Sequence, residues 1–197
     1  LVKFSSLREQ IISNVCFGTK RRILISSIKK RFIIDFLWTL LATKIASYKG
    51  YINAKKFSFG SDSETHRFIK ESMSWLNHGK WQDPLDNFMY YQHAKAINWP
   101  ATWHLTGVKD DILGNPNDIK AFIAETNNTD AKFTVLSKAD GAKVDYDHIN
   151  ILTHRCAVND HFPQLNQLKK KIFFLISLFL NIISLKLGSF SLNKLRF

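Results

Sequence analysis

The sequence predicts an α/β chain with about three parallel strands and helices between them. Three observations carry this. Short apolar runs of strand length occur at 10–17, 101–107 and 132–137. Segments of helical periodicity separate them. Each run ends at or near a glycine or at a polar turn. Strand, helix, strand, helix in this order indicates a parallel sheet, because parallel neighbours need a crossover between them. At 197 residues the chain has the length of one domain. Its 45% apolar and 13% aromatic content suffices for a packed core and excludes a disordered chain.

Residues 10–17, Q-I-I-S-N-V-C-F, read as a short buried strand stopped by Gly18. The basic turn T-K-R-R that follows reads as solvated. From Lys29 to Lys49, Phe32, Ile33, Phe36, Leu37, Leu40, Leu41, Lys44, Ile45 and Tyr48 recur near helical spacing, and Gly50 is placed as the stop. So few polar residues remain at its centre that more than one face is expected to be covered. A second helix is expected near Ser61, where Ser61 and Glu64 have capping-box spacing, and to end at Gly79. Trp81 to Trp99 reads as a polar, aromatic loop punctuated by Pro84 and Pro100.

Pro100 sets up the strand Ala101 to Gly107. Asn115 suits the N-cap and Pro116 the first position of a helix that buries Ile119, Phe122 and Ile123. Lys132 to Ser137 is the next strand. A loop through Gly141 leads to His148, and a last helix is expected from Asn159 or Asp160.

The net charge of +12 is unevenly placed. Residues 1–31 hold eight Lys/Arg and one acid, and 164–197 hold six and none, while the middle is near neutral. A nucleic-acid protein carries its basic stripe on the folded domain, so no nucleic-acid partner is expected. Cys16 and Cys156 have no metal-ligand or C-x-x-C spacing and read as reduced, which fits a cytoplasmic location. The tail 169–197 shifts to Leu, Ile, Phe, Ser, Asn and Lys. Its apolar run is shorter than the roughly twenty residues of a membrane span.

The runs W-H-L-T-G-V-K-D-D-I-L-G-N-P and D-Y-D-H-I-N-I-L-T-H, with the earlier F-G-T-K-R-R and G-Y-I-N-A-K-K, resemble a group of bacterial α/β-hydrolases over roughly residues 10–168. The resemblance implies the last three strands of an eight-stranded sheet. It divides the chain into a core strand region at 1–19, a helical lid at 20–98, a C-terminal core at 99–168, and a tail at 169–197 that matches nothing in the family.

The acid-then-histidine order is that of a Ser…Asp…His triad. Residue by residue, Asp110 matches the family's acid and His148 its histidine, with Asp111 as fallback acid. A capping or surface role for each remains the alternative, and it is the favoured reading for His154 and His161. No G-x-S-x-G elbow occurs in the chain. With Leu1 in place of a methionine, this suggests that the nucleophile and the oxyanion hole lie upstream.

The complete enzyme would hydrolyse a small-molecule ester or thioester of a hydrophobic acyl group, and no metal or organic cofactor is implied. The apolar and aromatic set Phe36, Trp38, Trp75, Trp81, Phe88 and Trp99 suits such a lid, and equally an ordinary packing layer. This chain alone is expected to be inactive. The first strand's bare edge, with Ile11, Ile12, Val15 and Phe17, is expected to favour aggregation. Three readings stay open beside this one: Cys16 as a nucleophile, Gly18 to Trp99 as a non-catalytic interaction module, and membrane-surface association through Lys169, Lys170, Lys171 and the tail.

Overall fold

The computed structural model describes residues 1–24, 26–53, 56, 63–77 and 81–165. Ser61, Gly79 and the tail 169–197 therefore lie outside the described residues. After a short helix α1 (Ser5–Glu9) come β1 (Ser13–Phe17) and a long helix α2 spanning 28–49. The hairpin β2 (Tyr51–Ile52) and β3 (Glu64–Thr65) leads to α3 (His66–Asn77), and α4 (Tyr90–Ala96) follows. Then come β4 (Ala101–Gly107), α5 (Pro116–Glu125), β5 (Lys132–Leu136) and α6 (Asn150–Thr153).

The sheet is parallel, with strand order β1-β4-β5. Ser13 faces Ala101 at one end of the first pair, and Trp103 faces Lys132 in the second. The central strand β4 is buried from Thr102 to Gly107, as expected of a parallel strand covered on both faces. Three of its polar side chains are hydrogen-bonded, while His104 keeps a buried Nδ1 without a partner among the described residues. Thr102 Oγ1 donates to Pro100 O, Thr106 Oγ1 to Gly114 O, and Trp103 Nε1 to Thr134 Oγ1. Trp103, Leu105, Leu136, Tyr146, Ile151 and Ala157 form the core beside the sheet. β1 forms one edge, with Ile12 55% exposed just before it.

Helix α2 departs from expectation. Its central part, Arg31–Ala42, is π-helical. Thr39 Oγ1 donates to Ile34 O at 2.8 Å and Thr43 Oγ1 to Trp38 O at 3.4 Å, each reaching five residues back. Gly50 ends the helix at φ 80°, a left-handed position that glycine adopts without strain. The buried face is Ile34, Ala42 and Ala46, and a second core forms where Ala42 and Ala46 meet Ile52, Ile69 and Met73. Phe32, Phe36, Leu40, Leu41 and Tyr48, expected to be covered, are exposed. A helix with so few polar residues at its centre gives the sequence little contrast by which to choose its inner side.

Helix α3 starts at His66 rather than near Ser61. Glu64 lies in β3, and Thr65 Oγ1 accepts from Phe68 N at 3.2 Å in the capping role. The stretch expected to be a loop contains α4. Tyr90 packs its ring against Trp75, Trp81 and Phe88, and Ala94 is fully buried, so tertiary packing selects a helix that periodicity does not signal. Helix α5 is capped as read: Asn115 Oδ1 accepts from Asn117 N at 3.0 Å, and Pro116 takes the first position. Beyond α6, a 3-10 turn at Arg155–Asn159 precedes the turn at His161, whose carbonyl accepts from Gln164 N.

The turn T-K-R-R is not solvated throughout. Arg21 is 7% exposed and pairs with the Glu125 carboxylate, through Nε at 2.9 Å and Nη2. It also donates to Trp75 O. One guanidinium thus ties the exit of β1 to α5 and to α3.

Candidate active site

Asp110 and His148 leave the carboxyl ends of neighbouring strands. β4 ends at Gly107, whose carbonyl accepts from Asp110 N at 3.0 Å in a tight turn. Val108 N donates to Leu136 O and Lys109 N to Tyr146 O, so the turn is pinned to the strand and loop beside it. Past β5, Asp147 Oδ1 accepts from the backbone N–H of Ile149 and Asn150, and Asn150 Oδ1 accepts from Asp147 N. This reciprocal cap starts α6 and fixes the backbone on both sides of His148.

The two side chains meet. His148 Nδ1 lies 2.7 Å from Asp110 Oδ2. The carboxylate is almost wholly buried, and the imidazole is about one-third exposed. Asp110 Oδ1 accepts from Gly114 N at 2.7 Å, so both carboxylate oxygens are held. With Nδ1 donating to the carboxylate, Nε2 is left as the basic nitrogen.

Two glycines make this geometry sterically accessible. A Cβ at residue 114 would stand 2.2 Å from Asp110 Oδ2 and 2.8 Å from Gly18 Cα. Gly18 has φ 59°, and a Cβ there would stand 3.0 Å from both Cε1 and Nδ1 of His148. The end of β1 thus packs directly against the Asp110–His148 pair. The sequence marks Gly18 as a strand stop, but the distance of either glycine to the pair is a tertiary fact that no local pattern encodes.

The pair borders a cleft of about 220 Å³. Lys29 and Ile33 from α2 line it together with Leu113 and Ile149. Asp111, the fallback acid, is mostly exposed and faces Lys29 at 3.5 Å. Lys20 was not singled out by sequence. Burial pushes its ammonium below the ordinary lysine value, while the negative charges of Asp110 and Asp118 oppose that shift.

The remaining candidates have structural partners. His154 Nδ1 accepts from Cys156 N, and His161 Nε2 donates to Ile151 O. Cys16 lies within β1, and burial pushes its thiol up, away from the thiolate a nucleophile needs. Of the aromatic set, Trp81 stacks on Tyr90, Trp75 and Phe88 meet Tyr90 edge-on, and Trp99 Nε1 donates to Ala94 O and Thr126 O. These rings form a packing layer. Among the described residues, no three His, Cys, Asp or Glu side chains converge as a metal site requires. None of the described helices is long and apolar enough to cross a membrane.

No family model matches this chain, and no curated protein matches it in sequence. Among solved structures it is similar to a thioesterase domain from the curacin biosynthetic pathway, at 14% identity and a TM-score of 0.36. The match covers 80% of this chain and 59% of that domain. So low a TM-score carries no assignment of fold or activity.

Proposed function

We propose that this chain supplies the acid and the base of a hydrolase of the α/β-hydrolase kind that cleaves an ester or thioester of a hydrophobic acyl group. The observation that carries the proposal is the 2.7 Å contact between His148 Nδ1 and the buried Asp110 carboxylate. Asp110 orients the ring and stabilises the imidazolium. His148 Nε2 takes the proton of a serine hydroxyl as that oxygen attacks the acyl carbonyl. It then returns the proton to the departing alkoxide or thiolate. Water, activated by the same nitrogen, releases the acid from the acyl-enzyme.

The serine comes from outside these 197 residues, since no nucleophile elbow occurs among them. The free edge of β1 is where a further parallel strand would pair, and Gly18 brings that edge to the His148 ring. Segment 20–98 acts as the lid, with Ile33 joining Leu113 and Ile149 as apolar wall for the acyl group.

The test compares two proteins. The 197-residue chain is expected to show no labelled serine with a fluorophosphonate probe, because loss of the nucleophile costs about 10⁶ in turnover. A product extended by the coding sequence upstream of Leu1 is expected to be labelled, and His148→Gln is expected to remove that labelling. A labelled serine in the shorter chain, or labelling of the longer one indifferent to His148→Gln and Asp110→Asn, would overturn the proposal.

A further inference from the structure

Helix α2 is apolar on two opposite faces, and one of them faces solvent. Ile28, Phe32, Phe36 and Leu40 recur every four residues and are 89%, 57%, 51% and 52% exposed. Phe32 and Phe36 stack with ring centroids 5.9 Å apart, so the ridge is continuous. Leu41 and Tyr48 extend it. The outward face of a helix on a globular protein is ordinarily polar, and a contiguous exposed apolar patch marks a contact surface.

The ridge is framed by cations. Lys44 and Lys49 lie near its last turn, while Lys29 and Lys30 near its first are paired with Asp111 and Asp35. Lys44, Lys49 and Lys56 line a groove of about 500 Å³ with Tyr48 and Tyr51. The helix carries a single acid, Asp35, which Lys30 neutralises at 2.9 Å.

We propose that this face of α2 docks flat on an anionic lipid surface. The apolar ridge enters the acyl boundary, the lysines sit among headgroup phosphates, and the two tyrosines lie at the interface between them. Charge selects this occupant. A second copy would set the same lysines against each other. The chain's own apolar tail brings the same sign, because residues 164–197 hold six Lys/Arg and no acid. An anionic bilayer complements both the ridge and its frame. The first turn of α2 also carries Lys29 and Ile33 into the cleft beside Asp110 and His148, so ridge and cleft share one end of the helix.

The full chain is tested by flotation with phosphatidylcholine vesicles, with and without phosphatidylserine. It is expected to float with the anionic vesicles only, and less in high salt. Phe32→Ser with Phe36→Ser should lower the bound fraction about tenfold by removing two rings from the acyl boundary. Lys44→Glu with Lys49→Glu should lower it comparably. If the serine variant fails to fold, the charge-reversal variant decides. Absence of flotation would overturn the proposal. So would undiminished binding of either variant, or a dimer in vesicle-free solution that the serine substitutions dissociate.

Discussion

Around Asp110 and His148 the backbone approaches so closely that residue 114 has no room for a methyl group and Gly18 only a tight fit against the His148 ring, whereas along the outer face of α2 phenylalanine rings stand half in solvent. The first region is over-determined. One carboxylate oxygen holds the imidazole, the other a backbone N–H, and β1 abuts both residues. Among the described residues the second is held from one side, by Ala42 and Ala46 on Ile52, Ile69 and Met73. Tolerance to substitution should differ accordingly: the first region fixes a geometry, and the second presents a surface.

The largest effect is expected at the joint between them. Arg21→Met removes both close hydrogen bonds to the buried Glu125 carboxylate, leaving it, among the described residues, only Arg22 at 3.8 Å, and should cost about 4 kcal/mol in urea unfolding. If Arg21 were only a surface cation, the loss would stay under about 1 kcal/mol. Next comes the inner face of the second region. Ile69→Ala empties a fully buried site and should cost about 3 kcal/mol by the same measurement.

Gly114→Ala should cost about 2 kcal/mol, because its Cβ forces Asp110 or Gly18 to move. It should also disturb the His148 ring resonances, which Ile69→Ala leaves alone. Phe36→Ser, on the outer face, should change stability by less than about 0.5 kcal/mol. Equal costs for Phe36→Ser and Ile69→Ala would erase the contrast between the two faces.

Acid should act on the sheet side. His104 in β4 and His161 against Tyr146 are buried, and burial lowers both below the ordinary histidine value. Among the described residues, their Nδ1 atoms have no hydrogen-bond partner. Both are therefore held neutral in the fold, while in the unfolded chain they protonate below about pH 6.5. Stability is full above that pH and falls below it, by at most about 1.4 kcal/mol per pH unit for each ring. Thermal melts between pH 7.5 and 5 should show the decline, and His104→Gln should flatten it. A melting temperature that rises on acidification would contradict this.

The elements legible in the sequence are those with local grammar. Pro100 and Gly107 frame β4, and Asn115 with Pro116 opens α5, because turn and cap chemistry act within a few residues. The nearness of Asp110 and His148 was legible only through resemblance, since thirty-eight residues separate them. What the sequence hid depends on distant partners. Arg21 reads as solvated until α5 brings Glu125 beside it, and nothing local signals that residue 114 must leave room for Asp110. Helix α4 has no apolar period and exists because Tyr90 and Ala94 find a packing layer.

The most direct test is the protonation pattern of His148 itself. Long-range nitrogen–proton NMR of the imidazole at neutral pH should show the proton on Nδ1, Nε2 bare, and a low-field Nδ1 proton that disappears in Asp110→Asn. A ring that carries its proton on Nε2, or a spectrum that Asp110→Asn leaves unchanged, would mean that the carboxylate does not hold the histidine.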